Sequence, residues 1–375
     1  MENFNNDVRA NDCSCSNCGA TMRYTPEKKQ LFCENCQSLK NIVAEALTQK
    51  HNYSTDSLQV DQASREWQEQ TKSLKCPNCG AGVVLNKLEY SSACPYCGSS
   101  LVSRDDKDDS IAPDGIIPFT FSDSAAASKY VTGLKKKWFL PNKFKKSPPT
   151  ENIHGVYVPI FGYDSDTISK YSGRLAKDHT TTNSKGERRT YTTYQNIFGT
   201  HQSAQRDILV ETSSKLNQDQ FAKIQPFHMS NAVKFNQGFI MGYTVEHYEN
   251  TVHQCRKVAE GIMQNNIKRE ILSRYSYDRV VSFDMSTAHA NQKYMYYLVP
   301  VYKCDYEYKK KQYTTIMNGQ TGKVGGGYPK SPVKITFFVL MWVLIIAGII
   351  AITILTQGDW LNLNIFKGIL WKRKF

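Results

Sequence analysis

The sequence predicts three successive parts: two small metal-dependent β units, a central α+β domain with a largely antiparallel sheet, and a single apolar helix near the carboxyl end. Three features of the 375-residue chain predict this order. Eight cysteines fall into two blocks of equal spacing, the middle of the chain alternates β-rich with helical segments, and one late stretch is uniformly apolar. The chain is long enough to bury a sizeable core beside the cysteine blocks.

Each cysteine block has a Cys-x2-Cys pair, fourteen intervening residues and a second Cys-x2-Cys pair. A two-residue gap lets both sulfurs of one turn reach the same ion, and two such turns complete a tetrahedron with zinc–sulfur distances of about 2.3 Å. Gly19 and Gly80 follow such pairs, where a left-handed backbone aims amides at sulfur. The spacing predicts zinc ribbons at residues 13–37 and 76–100, each with one structural zinc ion. The predicted ligands are Cys15, Cys18, Cys33, Cys36, Cys76, Cys79, Cys94 and Cys97.

Other chemistries fit the same cysteines. Disulfides are one alternative, but these spacings indicate metal sites where there is no secretory signal, and residues 1–11 contain no apolar run. A mononuclear iron site of the same geometry is another. In the first block, Cys13 offers a substitute ligand. Because four thiolates leave no open coordination position, the predicted ions hold structure and do not activate water.

Two connecting segments separate these units. Residues 38–75 contain two helix-like stretches, 39–50 and 56–72, and are predicted to form a helical spacer. Residues 101–115 combine an acidic run with Pro113 and Gly115, which predicts a solvated linker and a domain boundary.

Residues 116–330 are predicted to form the central, basic α+β domain. Ser122 or Asp123 is a suitable cap for a helix that runs to about Trp138, and a second helix is predicted over residues 250–274. Lys309, Lys310 and Lys311 join two strands in a hairpin. The predicted strands, rich in Tyr, Thr and Val, cover residues 116–121, 155–165, 190–198, 206–211, 238–247, 279–285, 294–308 and 312–317.

Charge is distributed unevenly along the chain, whose formal net charge is +13. Residues 1–115 carry 12 Lys and Arg against 16 Asp and Glu, whereas residues 116–334 carry 31 against 17. Four thiolates around a divalent cation leave about two further negative charges on each ribbon. An acidic ribbon region repels a phosphate backbone, so this balance favours a protein partner over nucleic acid.

Residues 335–355, ITFFVLMWVLIIAGIIAITIL, carry no charge and reach about 31 Å as a helix, enough to cross a bilayer core. They predict a single transmembrane helix; a buried core helix is the alternative. The chain is then a single-pass protein of the cell membrane with its amino-terminal domains in the cytosol, where thiolate sites stay reduced. Residues 360–375 are predicted to form an amphipathic, basic tail on the membrane surface, with a disordered tail as the alternative.

A basic and aromatic cluster follows the first predicted helix of the central domain. Clustered lysines near anionic lipid gain about 1 kcal/mol each, and aromatic rings enter the headgroup layer. The alternative is a solvated helix end with Trp138 in the core. The lysine hairpin at residues 309–311 offers a second contact. The membrane-surface candidates are Lys135, Lys136, Lys137, Trp138, Phe139, Lys143, Phe144, Lys145 and Lys146.

Four separated segments carry a resemblance to a known family: KKKWFLPNKFKK, IHGVYVPIFGYDSDTISKYSGR, DILV and YYLVPVYKCDYEYKKKQYTTIMNGQTGKV. They resemble bacterial membrane proteins with amino-terminal TFIIB-type zinc ribbons, whose members are often labelled primosomal helicase-like. The resemblance implies work in membrane stress beside scaffolds of the phage-shock-protein-A type.

The residues do not support the helicase label. A P-loop requires G-x-x-x-x-G-K-[ST], whereas Gly319 and Gly322 are too close together and Val324 follows Lys323. This segment is predicted to be a glycine-rich turn. No Ser-His-Asp, His-Glu-x-x-His or nucleophile-elbow pattern is present, and the scattered histidines, His247, His253 and His289 among them, are interpreted as ordinary polar or core residues. The sequence therefore predicts no enzyme.

These features predict a membrane-anchored zinc-ribbon adaptor or scaffold that binds a protein partner at the cytosolic face of the membrane and contacts anionic lipid. One alternative is a membrane-tethered nucleic-acid-binding protein without a helicase motor. Another is an enzyme acting on lipid or peptide, which requires a deep pocket in the central domain.

Overall fold

The computed structural model describes residues 13–47, 50–53, 62–86, 91–94, 99–102, 111–150, 153–184, 186–212, 216 and 218–371. The last residue with a described side chain is Thr353. Of the predicted acidic linker, residues 103–110 lie outside this part of the chain.

The first cysteine block is built on a small antiparallel sheet of three strands, β1 (Arg23–Thr25), β2 (Gln30–Phe32) and β3 (Leu39–Asn41). A helix was predicted over residues 39–50, and this prediction is wrong: Leu39 pairs with Phe32 in the sheet, and none of the described residues 39–47 and 50 is helical. The short strand β4 (His51–Asn52) follows. The second predicted helix is present but shorter, as α1 (Gln62–Gln70).

The second cysteine block contains β5 (Thr71–Lys75) and β6 (Gly82–Asn86), and a separate pair, β7 (Ser91–Ala93) and β8 (Ser100–Val102). The remaining elements are β9 (Gly115–Ile116), α2 (Asp123–Lys135), α3 (Asn142–Lys146), β10 (Ile153–Thr182), β11 (Arg188–Glu211), α4 (Gln218–Ile224), β12 (Val233–Lys234), β13 (Thr244–Glu246), α5 (Val252–Leu272), β14 (Arg279–Tyr308), β15 (Lys311–Asn318), β16 (Val324–Gly326) and α6 (Pro332–Trp371).

The central sheet is large and mixed. Its longest strands, β11, β10 and β14, lie side by side in that order and pair antiparallel. β15 and β16 extend it in the same antiparallel manner. By contrast, β9 runs parallel to β14, and β13 runs parallel to β10. The sheet is therefore not purely antiparallel.

Several predicted strands are parts of longer ones. The predicted segments 190–198 and 206–211 are one strand, β11, and the segments 279–285 and 294–308 are one strand, β14. The intervening residues are mostly polar and lack apolar alternation, yet their backbones pair with β10 except at a bulge in β14. The predicted strand at 116–121 is reduced to β9, since Pro118 has no N–H to continue the ladder.

The pairing of β10 with each of its two neighbouring strands is interrupted by a bulge, and the two bulges lie at the same position along β10. The register with β11 shifts between Tyr163 and Ser165, and the register with β14 shifts between Asp164 and Asp166. Asp207 and Asn291 have positive φ values of 51° and 49° at these bulges. Beyond them the three long strands continue as an arm, one face of which is covered by α5 through Ile267 and Ile271.

Both cysteine blocks are joined to the central domain. Val84 and Val83 of β6 pair with Val245 and Glu246 of β13, so β5 and β6 belong to the central sheet. Tyr24 of β1 belongs to the same buried cluster as the central core.

The predicted glycine-rich turn is present after β15. Gly322, with a φ of +75°, donates its N–H to the Asn318 carbonyl, while the Asn318 side chain accepts from the N–H groups of Gln320 and Thr321. The helix α6 follows. Its Pro332–Thr353 portion is long and apolar enough to cross a membrane, and none of it is buried in the protein. Residues 360–371 continue α6 in their backbone, but the side chains that would make them amphipathic, and residues 372–375, lie outside the described part.

Candidate metal centres and membrane-proximal surface

Four sulfurs of the first block converge. The ligand atoms of Cys15, Cys18, Cys33 and Cys36 all lie within 4.8 Å of one another. The Sγ atoms of Cys15 and Cys36 are 3.3 Å apart, and those of Cys18 and Cys33 are 3.5 Å apart. A zinc–sulfur bond of about 2.3 Å places neighbouring sulfurs about 3.8 Å apart in a tetrahedron, so these thiols fit one metal ion. Cys13, the substitute ligand, is not one of the four.

Tight turns hold the sulfurs in place. Gly19 adopts a φ of +72° and donates its N–H to the Cys15 carbonyl at 2.8 Å, while the Cys15 N–H bonds to Ala20. The other half of the site repeats this arrangement, with the Gln37 N–H donating to Cys33 and the Cys33 N–H donating to Ser38. Each turn positions two thiols over one point.

Hydrogen bonds favour thiolates at two of the four ligands. The Ser38 hydroxyl lies 3.1 Å from the Cys36 sulfur, and with the Ser38 backbone it lowers the pKa of Cys36 to about 6. Backbone amides of Asn17 and Cys18 lower the pKa of Cys15. Because the thiolate is the metal-binding form, these bonds support metal binding at neutral pH.

The second block repeats the first where it is described. Cys76, Cys79 and Cys94 form a group whose ligand atoms lie within 4.8 Å, and the Sγ atoms of Cys79 and Cys94 are 3.6 Å apart. Gly80 again has a φ of +72° and bonds to the Cys76 carbonyl. The predicted fourth ligand, Cys97, lies outside the described residues.

The first metal centre is fixed to the central domain through β1. Tyr24, only 5% exposed, donates its hydroxyl to the Phe119 carbonyl at 3.3 Å, and its N–H bonds to Met241 at 2.9 Å. Its ring meets Phe239 edge-on at 5.4 Å. Nearby, the Glu27 carboxylate accepts from the Ser122 N–H at 3.0 Å at the start of α2. Ser122 occupies the predicted cap position, but its own side chain makes no capping bond.

The second metal centre borders a buried charged group. Glu246 of β13 is 3% exposed, and burial raises its pKa to about 8, although Lys303 opposes the shift. Lys303 is also buried, which lowers the pKa of its ammonium group, and it contacts Asp305 at 3.2 Å.

The basic and aromatic cluster lies at the start of α6. The rings of Trp138 and Phe139 pack against Phe338 of α6 at 5.5 and 5.6 Å. The Ser331 N–H bonds to the Phe139 carbonyl, and the Lys334 ammonium bonds to the Leu140 carbonyl, both at 2.8 Å. Trp138 is 50% exposed, so the alternative that places it in the core is wrong.

One membrane-surface candidate is not at the surface. Phe144 is buried between Tyr306 and Tyr308, with ring distances of 5.1 and 5.5 Å, so its ring cannot enter a membrane. Its burial brings α3 against the end of β14, next to the lysine hairpin. Nine lysines, which we call the lysine collar, lie in α2, in α3, in the loop between them that packs on the start of α6, and in the β14–β15 hairpin beside α3. They form no ion pair with another described residue. They are Lys135, Lys136, Lys137, Lys143, Lys145, Lys146, Lys309, Lys310 and Lys311.

A cleft lies between α5 and the two bulges next to residues 163–166 of β10. No pattern in the sequence predicted it. Its cavity volume is about 10 Å³, which leaves room for about one water molecule and is far below the roughly 300 Å³ at which small-molecule pockets begin. In it the Ser165 hydroxyl lies 3.0 Å from Nδ1 of His289, whose pKa burial lowers. Asp164 accepts a hydrogen bond from Lys50 at 2.9 Å. Arg256 pairs with Glu260 at 2.8 Å. Only the bulges bring these residues together, and no sequence pattern marks them.

The chain is similar to an uncharacterized protein of Bacillus subtilis (strain 168), YdjG, with 27% identity over 326 residues. The match covers 86% of this chain and 91% of that protein. No family model matches the chain, and no solved structure matches it. The likeness extends over nearly the full length of both proteins, but the description of the relative names no activity.

Proposed function

We propose that this protein is a membrane-anchored zinc-ribbon adaptor or scaffold, which binds a protein partner at the cytosolic face of the membrane. Its proposed setting is the response to membrane stress, as the family resemblance implies. The observation that carries the proposal is the fixed connection from the first cysteine centre, through Tyr24 and the central core, to the start of α6. A partner held by the ribbon would be held at a set position relative to the anchor.

Zinc is the proposed ion at both centres. The four-sulfur geometry of the first centre, the lowered pKa values of Cys15 and Cys36, and the three converging sulfurs of the second centre support metal binding, and iron is the competing ion. Because thiolate sites persist in a reducing compartment, we propose that the ribbons lie in the cytosol.

The lysine collar supports anchoring beside an anionic bilayer. The loop that carries Lys136 and Lys137 packs on the start of an apolar helix, and Trp138 lies exposed in the same loop. Lysines near an anionic lipid surface gain about 1 kcal/mol each.

A candidate partner surface lies on the first ribbon. Leu39 of β3 and Val43 are 43% and 37% exposed, although both are large apolar residues. β3 pairs only with β2 in the described chain, so its other edge is open. Four thiolates around the proposed divalent ion would leave about two negative charges at this ribbon, which favours a partner with a basic surface and an apolar contact.

The test is crosslinking of the full-length protein in its native membranes, followed by mass spectrometry, with the wild type and a Leu39→Ser/Val43→Ser double variant. These substitutions leave the cysteines and the core contacts of Tyr24 unchanged. We expect the wild type to crosslink a protein partner through residues 13–47 and the double variant to lose it.

The matched control is Val258→Ser, an exposed apolar residue of α5 that is 43% exposed and remote from the ribbon. It should retain the partner. Crosslinks from the wild type to nucleic acid alone, or a partner retained by the double variant, would reject the ribbon-mediated adaptor. A second test is metal analysis of the purified protein, which should find about two zinc ions per chain.

A further inference from the structure

The outer strand of the arm has an open edge. β11 pairs with β10 along its length, and on its other side no strand pairs with it among the described residues. The nearest partial cover is the Gln218 side chain, which bonds to the backbone of Leu209 and Glu211 at the base of the arm. From Thr190 to Gln205 the edge has no such cover in the described chain.

The register shows which backbone groups face outward. Asn183 donates its N–H to the Glu187 carbonyl at the tip of the hairpin, and from Thr182–Arg188 to Ser165–Gln205 the pairing runs without a shift. In an antiparallel ladder, hydrogen-bonded pairs alternate with non-bonded pairs. The even-numbered residues of β11 from Thr190 to Ala204 therefore turn their N–H and C=O groups away from β10.

This edge lacks the usual protection against pairing. Exposed edge strands generally carry charges, prolines or bulges that block a second strand. From Thr190 to Gln205 there is no Lys, Arg, Asp, Glu or Pro, and the register has no bulge. Phe198 is 80% exposed, and Tyr194 is 56% exposed on the same face.

We propose that β11 pairs antiparallel with β11 of a second copy of this chain, so that two arms join into one continuous sheet about a two-fold axis. An isologous contact uses one self-complementary strip, and an uncharged strip places no like charges opposite each other. The central region carries 31 Lys and Arg against 17 Asp and Glu, so most other approaches of two copies are repulsive. The neutral edge of β11 is where two copies can meet.

The other open edge of the arm is less suited to this contact. Along residues 279–292, β14 has no second strand partner in the described chain, but it carries Arg279 and Asp284. If β11 paired with β14 of the next copy, each copy would keep a free edge and copies would add without limit. Pairing of β11 with β11 uses the same edge of both copies and stops at a dimer. The dimer contact involves neither cysteine centre, so it can fail while the adaptor function stands.

The test is the molecular mass of the full-length protein in lipid nanodiscs or mild detergent, by light scattering and native mass spectrometry, for the wild type and Thr200→Pro. Thr200 is exposed, its N–H faces outward, and Gly199 precedes it, so proline removes no hydrogen bond to β10. The wild type should be a dimer. Because both copies carry the change, the dissociation constant of Thr200→Pro should rise at least about tenfold.

A matched pair of lysine variants distinguishes dimerisation through the edge of β11 from contact through the face of the sheet. Thr200→Lys places a charge on the edge strand, whereas Ser172→Lys places it on the same face of the central strand β10, whose two edges are both paired. Thr200→Lys should weaken the dimer and Ser172→Lys should preserve it. A monomeric wild type, a dimer that persists in a folded Thr200→Pro variant, or equal loss in both lysine variants would overturn the proposal. Zinc content and circular dichroism verify folding in each case.

Discussion

At the scale of single residues, the metal turns depend on a backbone conformation that glycine adopts readily. Gly19 has a φ of +72°, and a Cβ built there would meet nothing within 4 Å. A substitution therefore introduces conformational strain without a steric clash, at a cost of about 1–2 kcal/mol.

Gly19→Ala should weaken zinc binding at the first centre by roughly five- to thirtyfold, because the strain applies only to the folded, metal-binding turn. Competition with a chromophoric chelator measures the affinity. Gly261→Ala is the matched control: Gly261 lies inside α5, also with nothing within 4 Å of its Cβ position. That change should leave zinc affinity unaltered and stabilise the protein by about 0.5–1 kcal/mol. If the wild type and Gly19→Ala bound the metal with equal affinity, the left-handed turn at Gly19 would not contribute to metal binding.

Glu246 is a buried acid with an incomplete set of partners. Its Oε2 atom has no hydrogen-bond partner among the described residues. Burial raises its pKa from the model-peptide value of 4.5 to about 8, so the folded state binds a proton more tightly than the unfolded state does. The stability that this group contributes is complete below pH 4.5 and is lost as the pH rises through 8.

Glu246→Gln should therefore stabilise the protein at pH 8.5 by roughly 2 kcal/mol relative to wild type, and by little at pH 5. The neutral amide replaces an acid that must otherwise ionise in a buried site, and Lys303 keeps its contact with Asp305. Urea unfolding at several pH values measures the difference. Glu187→Gln, at the exposed tip of the β10–β11 hairpin, should show no such pH dependence. A constant difference between wild type and Glu246→Gln across this range would contradict the raised pKa.

At the scale of elements, the lysine collar lies on the segments next to the start of α6. The rings of Trp138 and Phe139 pack on Phe338 and hold the loop after α2 against the helix, so Lys136 and Lys137 stay close to it. If Pro332–Thr353 crosses a bilayer, these lysines lie at headgroup level.

Collar lysines should be protected from an amine-reactive reagent in nanodiscs of anionic phosphatidylglycerol, and should react two- to tenfold faster in neutral phosphatidylcholine. The electrostatic attraction to anionic lipid is the reason, and 0.5 M salt should reduce the protection. Mass spectrometry of proteolytic peptides measures the extent of modification at each lysine. Lys170 and Lys177 on the arm are internal controls that should react equally in both lipids. Equal reactivity of the collar in the two lipids would mean that the collar does not contact the headgroups.

The sequence predicted elements well where local patterns were strong. The cysteine spacing located the first four-sulfur group, the apolar run located the core of α6, and the cap at Ser122 located the start of α2 within a residue. It failed where long-range pairing decides structure. The polar stretches within β11 and β14 have no apolar alternation, and they are strands because β10 lies beside them. The cleft at the two bulges, with Ser165 and His289, depends on register shifts that no local pattern encodes.

At the scale of the whole molecule, the metal centres and the central domain share buried structure. Cys15, Cys33 and Tyr24 belong to the same core cluster as Phe119 and Tyr302. The second block contributes β6 to the central sheet through β13. A ribbon on a flexible tether would unfold by itself, whereas these contacts couple each metal site to the rest of the fold.

Removal of the bound metal, which we propose is zinc, should therefore destabilise the whole molecule. A high-affinity chelator is expected to lower the single thermal unfolding midpoint by more than about 10 °C, because metal-binding free energy is part of the folding free energy when the sites exist only in the folded state. Calorimetry in detergent, with near-ultraviolet circular dichroism of the tyrosine-rich core, measures the change. Cys255→Ser controls for thiol loss, since Cys255 is buried away from both cysteine groups and should leave the chelator effect intact. A chelated protein with an unchanged core signal and an unchanged main transition would show instead that the ribbons fold independently, and that the contacts of Tyr24 do not join them to the central domain.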